Sequence, residues 1–140
     1  MKRKIAYSTV AVVLIVVLAI QSCGGNSNVS LIFNQTSGNS CADVDQSSAT
    51  IQCGDGVLTF EGSALTPDPC YYLTSRIDTM NTSDIVIAIT ARSAAGDGDT
   101  NCVECIGKID FSGEVTNIGS CSKHVSIVYN GVTIAEHGHE

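Results

Sequence analysis

The chain has 140 residues, of which fourteen are acidic and seven basic, with a formal net charge of −7 at pH 7. This acidic balance argues against a nucleic-acid partner, because phosphate binding needs a basic surface. It also disfavours docking of the protein surface itself on anionic lipid.

The N-terminus has the layout of a secretory signal. Lys2, Arg3 and Lys4 precede an apolar run over residues 5–20, and a basic segment before an apolar one is typical of exported chains. As a helix this run spans about 24 Å at ~1.5 Å per residue, which is short for a hydrocarbon core of roughly 30 Å. We therefore predict a signal helix in a signal peptide of residues 1–22. An uncleaved membrane anchor and free secretion are the alternatives, and each of them places the remaining chain outside the cytoplasm.

The signal ends in Ile20-Gln21-Ser22-Cys23. This tetrapeptide resembles the lipobox of prokaryotic membrane lipoproteins, in which the cysteine carries the lipid and begins the mature chain. The resemblance implies lipidation of Cys23 and anchoring to the outer face of the cell membrane, or to the periplasmic or extracellular side of the envelope. It covers only the first 23 residues.

Removal of residues 1–22 leaves 118 residues, enough for one domain with a modest core. Four basic residues then stand against fourteen acidic ones, a net charge of −10. This charge favours solubility, and cation binding is the alternative interpretation.

Residues 23–49 are rich in Gly, Asn, Ser, Thr and Gln, which predicts a flexible tether. Within it, Val29–Phe33 is an apolar interruption that could form a first, loosely attached strand. Asn28, Asn34 and Asn81 each begin an N-x-[ST] sequon and are candidate glycosylation sites in an organism that glycosylates outside the cell. The same motif is also common by chance.

The remainder, residues 50–140, is predicted to form short strands separated by turns. Residues 85–90 are rich in β-branched side chains and should form the most buried strand. Asn130-Gly131 lies between two apolar segments, as in a two-residue hairpin, and Gly107 and Gly113 are expected at bulges or bends of a strand over residues 103–115.

These features predict an all-β fold, namely an antiparallel β-sandwich of immunoglobulin-like architecture with seven or eight strands. A small barrel is the alternative. The segment Pro67-Asp68-Pro69-Cys70-Tyr71 resembles small uncharacterised exported immunoglobulin-like β proteins of prokaryotes. That resemblance implies no activity.

There are seven cysteines, and with Cys23 assigned to lipid an even number remains, which predicts three disulfides in an exported chain. Cys102-Val103-Glu104-Cys105 is a CxxC motif. A redox or metal-binding role for it is disfavoured, because no helical period follows the motif and no second pair of Cys or His ligands matches it. The preferred pairing is Cys41–Cys53, Cys70–Cys102 and Cys105–Cys121, with Cys102 and Cys105 interchangeable.

Asp97, Asp99 and Asn101 place oxygen ligands at alternate positions, as calcium loops do. The alternative is an acidic surface turn, because Cys102 interrupts the calcium-loop pattern. Apart from Ca²⁺, no cofactor is predicted.

The sequence contains neither a GxSxG elbow nor a phosphate-binding loop, and we expect no enzymatic activity. We predict an exported, lipid-anchored protein with a binding role toward an envelope protein or a glycan. The alternatives are a structural envelope protein that assembles through strand edges and a calcium- or metal-binding surface protein.

Overall fold

A computed structural model describes residues 28–36, 40–94 and 102–138. Over these ranges the chain forms nine strands and no helix, and thus none that could cross a membrane. The predicted all-β class is confirmed, whereas the predicted signal helix lies outside the described residues. The strands are β1 (Ser30–Gln35), β2 (Ser40–Cys41), β3 (Ser48–Gly54), β4 (Val57–Thr66), β5 (Tyr71–Met80), β6 (Asp84–Ser93), β7 (Gly107–Thr116), β8 (His124–Tyr129) and β9 (Val132–His137).

The strands form two sheets, an arrangement consistent with a β-sandwich. The first sheet has the order β1-β7-β4-β3, with the short β2 paired to the beginning of β7. The second has the order β5-β6-β8-β9. Alternate side chains of both sheets enter a common core, as the period of two requires.

One strand pair departs from the predicted antiparallel arrangement. β6 and β8 run parallel, with Asp84 opposite His124 and Ile89 opposite Tyr129. Parallel neighbours need a long crossover. Here β7, in the first sheet, carries the chain back to the end at which β6 began, and β8 therefore starts beside the start of β6.

The core is apolar and contains side chains from both sheets. The inward-facing Ile85, Ile87 and Ile89 of β6 are fully buried, as expected for this β-branched segment. The other buried apolar residues are Leu58, Phe60, Ala64, Leu73, Ile109, Phe111, Val115, Ile118, Val125, Ile127 and Tyr129.

The folded domain begins earlier than the predicted residue 50. β1 pairs with β7 over its whole length, from Ser30 opposite Thr116 to Gln35 opposite Phe111. Leu31 and Phe33 pack against the core. The range 23–49, predicted as a tether, therefore contains β1, β2 and the start of β3. The apolar interruption Val29–Phe33 within this polar range supplies Leu31 and Phe33, which face the core from β1.

The register fixes which parts of the chain share each end of the domain. One end, the tether end, is formed by the start of β1, the turn at 54–57, the turn at 80–84 and the segment 117–123. The opposite end, the tip, is formed by residues 42–47, 66–70 and 102–106 and by the Asn130-Gly131 turn. The strand predicted over residues 103–115 begins only at Gly107, because residues 102–106 belong to the tip.

Candidate interaction surface

Three disulfides join the strands and loops, with Cα–Cα distances of 5.6 to 5.8 Å, inside the usual range for a bridge. The predicted Cys70–Cys102 bridge is confirmed. The other two predicted pairings are wrong, because the observed bridges are Cys41–Cys105 and Cys53–Cys121.

The correct pairing follows from the two ends of the domain. β3 carries Cys53 away from Cys41 to the tether end, where the segment 117–123 brings Cys121 beside it. Cys41 stays at the tip, because β2 pairs with Gly107 at the start of β7. Closeness along the sequence, on which the prediction relied, is therefore misleading here.

The CxxC motif is divided between two bridges. Cys102 bonds to Cys70 on one side, and Cys105 bonds to Cys41 on the other. The motif is therefore a structural element of the tip and not a dithiol pair. Three bridges in one small domain indicate an oxidising, exported environment.

The tip exposes large apolar side chains. Val103 is 65% exposed, Ile106 59% and Val44 43%. Their segments are held together, since the Ala42 amide donates to the Ile106 carbonyl at 2.7 Å and the Cys41–Cys105 bridge lies beside that bond. These three residues are called the tip patch below. Tyr72 and Val132, also exposed, lie toward the same end.

Acidic residues are interleaved with the tip patch. Asp43 and Asp45 flank Val44, and Glu104 follows Val103, and all three are exposed. Lys108 is engaged within the domain, because its Nζ lies 2.9 Å from an Asp43 carboxylate oxygen and 3.8 Å from one of Asp110. The hydrogen bond from Lys108 holds the pKa of Asp43 below its usual value. The patch is thus apolar with an acidic border.

The predicted calcium ligands Asp97, Asp99 and Asn101 lie outside the described residues, as does Cys23. Among the described residues, Asp68, Cys70 and Cys102 place ligand atoms within 4.8 Å of one another. Both sulfurs belong to one disulfide, and an Asp68 carboxylate oxygen accepts the Cys70 amide hydrogen at 2.8 Å. While the bridge is intact, both sulfurs are bonded to each other and the Asp68 carboxylate is hydrogen-bonded, so these three residues do not form a metal site.

The three sequon asparagines are exposed but differ in setting. Asn28 precedes β1, and its carbonyl accepts a hydrogen bond from the Asn117 side chain at 3.0 Å. Asn34 is on β1 with its side chain on the outer face of the first sheet. The Asn81 side-chain oxygen Oδ1 accepts the backbone amide hydrogens of Ser83 and Asp84, which ties that side chain into the turn.

Comparison with known protein families, curated proteins and solved structures finds no match to this chain. The surface must therefore be interpreted from its own chemistry. The residues that sequence reasoning missed are those of the tip patch. The available signal was the pair of short segments Asp43-Val44-Asp45 and Val103-Glu104-Cys105-Ile106, in which apolar and acidic residues adjoin cysteines.

Proposed function

We propose that the chain is an exported, lipid-anchored and non-enzymatic binding module that presents the tip patch to a protein partner in the cell envelope. The observation that carries this proposal is the position of the patch. Val44, Val103 and Ile106 are exposed on disulfide-linked segments at the end of the domain opposite the start of β1.

The covalent geometry supports this orientation. Ser30 is the seventh residue after Cys23, and a chain of that length reaches at most about 25 Å. β7, with ten residues, crosses from the tip to the tether end over about 33 Å. A lipid on Cys23 would hold the tether end near the membrane and direct the tip toward other envelope components.

The composition of the patch indicates the chemistry of its partner. Exposed apolar side chains grouped on rigid segments are typical of protein interfaces. The carboxylates of Asp43, Asp45 and Glu104 favour a partner whose apolar centre has a cationic border, because complementary charge raises the association rate and excludes wrong partners. A second copy of this chain would present the same negative border and is disfavoured.

Assembly through strand edges has less support. The strand available for donation would be the apolar segment Val29–Phe33, and all of it except Val29 belongs to β1, whose six residues pair with β7 of the same chain. Donation to a neighbour would require this ladder to open. The calcium alternative and the immunoglobulin-like assignment both stay predictions.

Intact mass of the protein extracted from its native membrane tests the anchoring. We expect a chain that begins at Cys23, carries a lipid-sized excess and gains six hydrogens when its three bridges are reduced. A chain that retains residues 1–22, or one without any lipid mass, would refute the lipid anchor.

Native electrophoresis of mild-detergent membrane extracts tests the binding role. We expect the full-length protein to migrate with its partner and the Val103→Asp variant to migrate alone. Thr74→Asp is the control, because Thr74 is exposed on the outer face of the second sheet and belongs to neither the tip patch nor the first sheet. Equal migration of the two variants would contradict a binding role for the tip.

A further inference from the structure

The outer face of the first sheet carries a depression of about 340 Å³, at the lower end of the volumes typical of small-ligand sites. Two rows of side chains cross it at right angles to the strands, and the registers of β1, β7, β4 and β3 fix their order. The first row is Asn34, Ser112, Glu61 and Thr50; the second is Ile32, Glu114, Thr59 and Gln52.

The polar side chains of these rows have no hydrogen bond to any other residue in the described ranges. The adjoining row toward the tip differs. There the Ser63 hydroxyl donates to an Asp110 carboxylate oxygen at 2.6 Å, and in the row beyond it Lys108 pairs with Asp43. The donors and acceptors of the depression are therefore available to a ligand, whereas those of the next row are already engaged.

The floor beneath these side chains is rigid. It is the backbone of the two central strands, β4 and β7, which pair without interruption from Leu58 opposite Val115 to Thr66 opposite Gly107. On the inner side of this floor, Phe60 packs against Gly113. A ligand would therefore meet side chains that are spaced in advance, about 4.8 Å apart between strands and about 7 Å apart between rows.

The side-chain chemistry selects the ligand class. Glu61 and Glu114 supply negative charge and neither row contains a cation, which excludes anionic ligands. Amides, hydroxyls and carboxylates are suited to a ligand rich in hydroxyl groups, and the exposed Ile32 offers apolar contact at one edge. We propose that this depression, here called the glycan groove, binds a short neutral glycan. The groove is separate from the tip patch, so either assignment can fail without the other.

The test uses the full-length protein in phosphatidylcholine nanodiscs, with the side-chain amide signals of Asn34 and Gln52 followed by nuclear magnetic resonance. The probes are the neutral tetrasaccharides of cellulose, starch, mannan and chitin. We expect at least one probe to shift both amides saturably. Binding should weaken about tenfold in Glu61→Ala, since a hydrogen bond to a charged group is lost.

Two controls separate this site from the rest of the surface. Thr74→Ala, on the outer face of the second sheet, should leave glycan affinity unchanged. Val103→Asp should do the same, so a failure of the tip proposal is distinguishable from a failure here. Loss of affinity in either control would overturn the assignment.

Four outcomes would overturn the assignment of the glycan groove. The first is that no neutral probe shifts the amide signals at millimolar concentration, and the second is that an acidic tetrasaccharide of galacturonate binds as well as the neutral ones. The third is that Ca²⁺ alone produces the same shifts, and the fourth is that the native protein carries a covalent sugar on Asn34, which would fill the groove.

Discussion

The ring of Phe60 on β4 lies over Gly113, the residue directly opposite it on β7. The reverse arrangement follows two residues further along, where Phe111 on β7 packs against Gly62 on β4. Phe33 of β1 lies beside both rings, with centroid distances of 6.4 Å to Phe60 and 6.0 Å to Phe111. The inner face of the first sheet is therefore built from aromatic rings that fill the space left by glycines on the neighbouring strand.

Substitution of Gly113 by Ala tests this packing. A Cβ at that position would overlap the Phe60 ring, and overpacking of a core costs about 1–3 kcal/mol. Gly54→Ala is the control, because no atom lies within 4 Å of its Cβ position. Urea denaturation should show the loss only for Gly113→Ala. Equal midpoints for both variants would contradict the ring-over-glycine arrangement.

Removal of the Cys41–Cys105 bridge should loosen the tip before the core. The bridge joins residues 64 apart, and in the chain-entropy treatment its loss costs about 4 kcal/mol. In Cys41→Ala/Cys105→Ala, the Ala42 amide, which donates to Ile106, should exchange with solvent much faster. The backbone amides that pair β4 with β7 should lose protection from exchange only to the extent that the whole domain becomes less stable. An Ala42 amide as protected as in the parent would show that the bridge does not order the tip.

Tyr129→Phe should destabilise the domain by about 1–2 kcal/mol, since it leaves a carbonyl without its partner. The phenol is nearly buried and donates to the Leu65 carbonyl at 2.6 Å, which ties the second sheet to the first. Tyr72→Phe is the control, because that side chain is 42% exposed. Guanidinium denaturation compares the two. A larger loss for Tyr72→Phe would refute this role of Tyr129.

The same burial gives a prediction for alkaline pH. Burial raises the pKa of the Tyr129 phenol above its usual 10.0, so folding favours the neutral form. This contribution to stability is fully present below pH 10.0 and is lost as the pH rises through the folded pKa. The ultraviolet titration of tyrosinate should show a phenol that ionises late in the parent and is missing in Tyr129→Phe. If Tyr129→Phe still showed the late-ionising phenol of the parent, Tyr129 would not be the residue with the raised pKa.

The Asp43–Lys108 pair predicts the behaviour of the tip in acid. Because the hydrogen bond from Lys108 lowers the pKa of Asp43 from 3.8, the pair contributes stability above that value. The contribution is lost as the pH falls through the folded pKa. Carbon-detected titration should place the pKa of Asp43 below 3.8 in the parent and at a higher value in Lys108→Met, because the hydrogen bond from Lys108 is the largest cause of the lowering. An unchanged midpoint in the variant would exclude Lys108 as the cause.

Local patterns predicted much of the fold. The β-branched residues of β6 and the Asn130-Gly131 hairpin were recognisable because burial and turn geometry act over a few residues. Gly113 was expected at a bulge, yet β7 pairs there without a register shift, since the glycine makes room for a ring on another strand. Such a requirement is set by a neighbour remote in sequence.

The grouping in space of these surface residues could not be predicted for the same reason. The tip patch depends on the Cys41–Cys105 bridge, which joins segments distant in sequence. The glycan groove depends on the register that places Asn34 beside Ser112 and Glu61 beside Thr50. Composition alone indicated only that the exported part is acidic and disulfide-linked.

Photo-cross-linking in the native envelope tests whether the tip patch binds a protein partner. The full-length protein would carry a benzophenone side chain at position 103 or, as control, at position 74 on the outer face of the second sheet. We predict an adduct with one envelope protein from position 103 that weakens at high salt, since acidic residues border the patch. Position 74 should yield no such adduct. Equal adducts from both positions, none from position 103, or adducts only with a second copy of this chain would contradict a protein-binding tip.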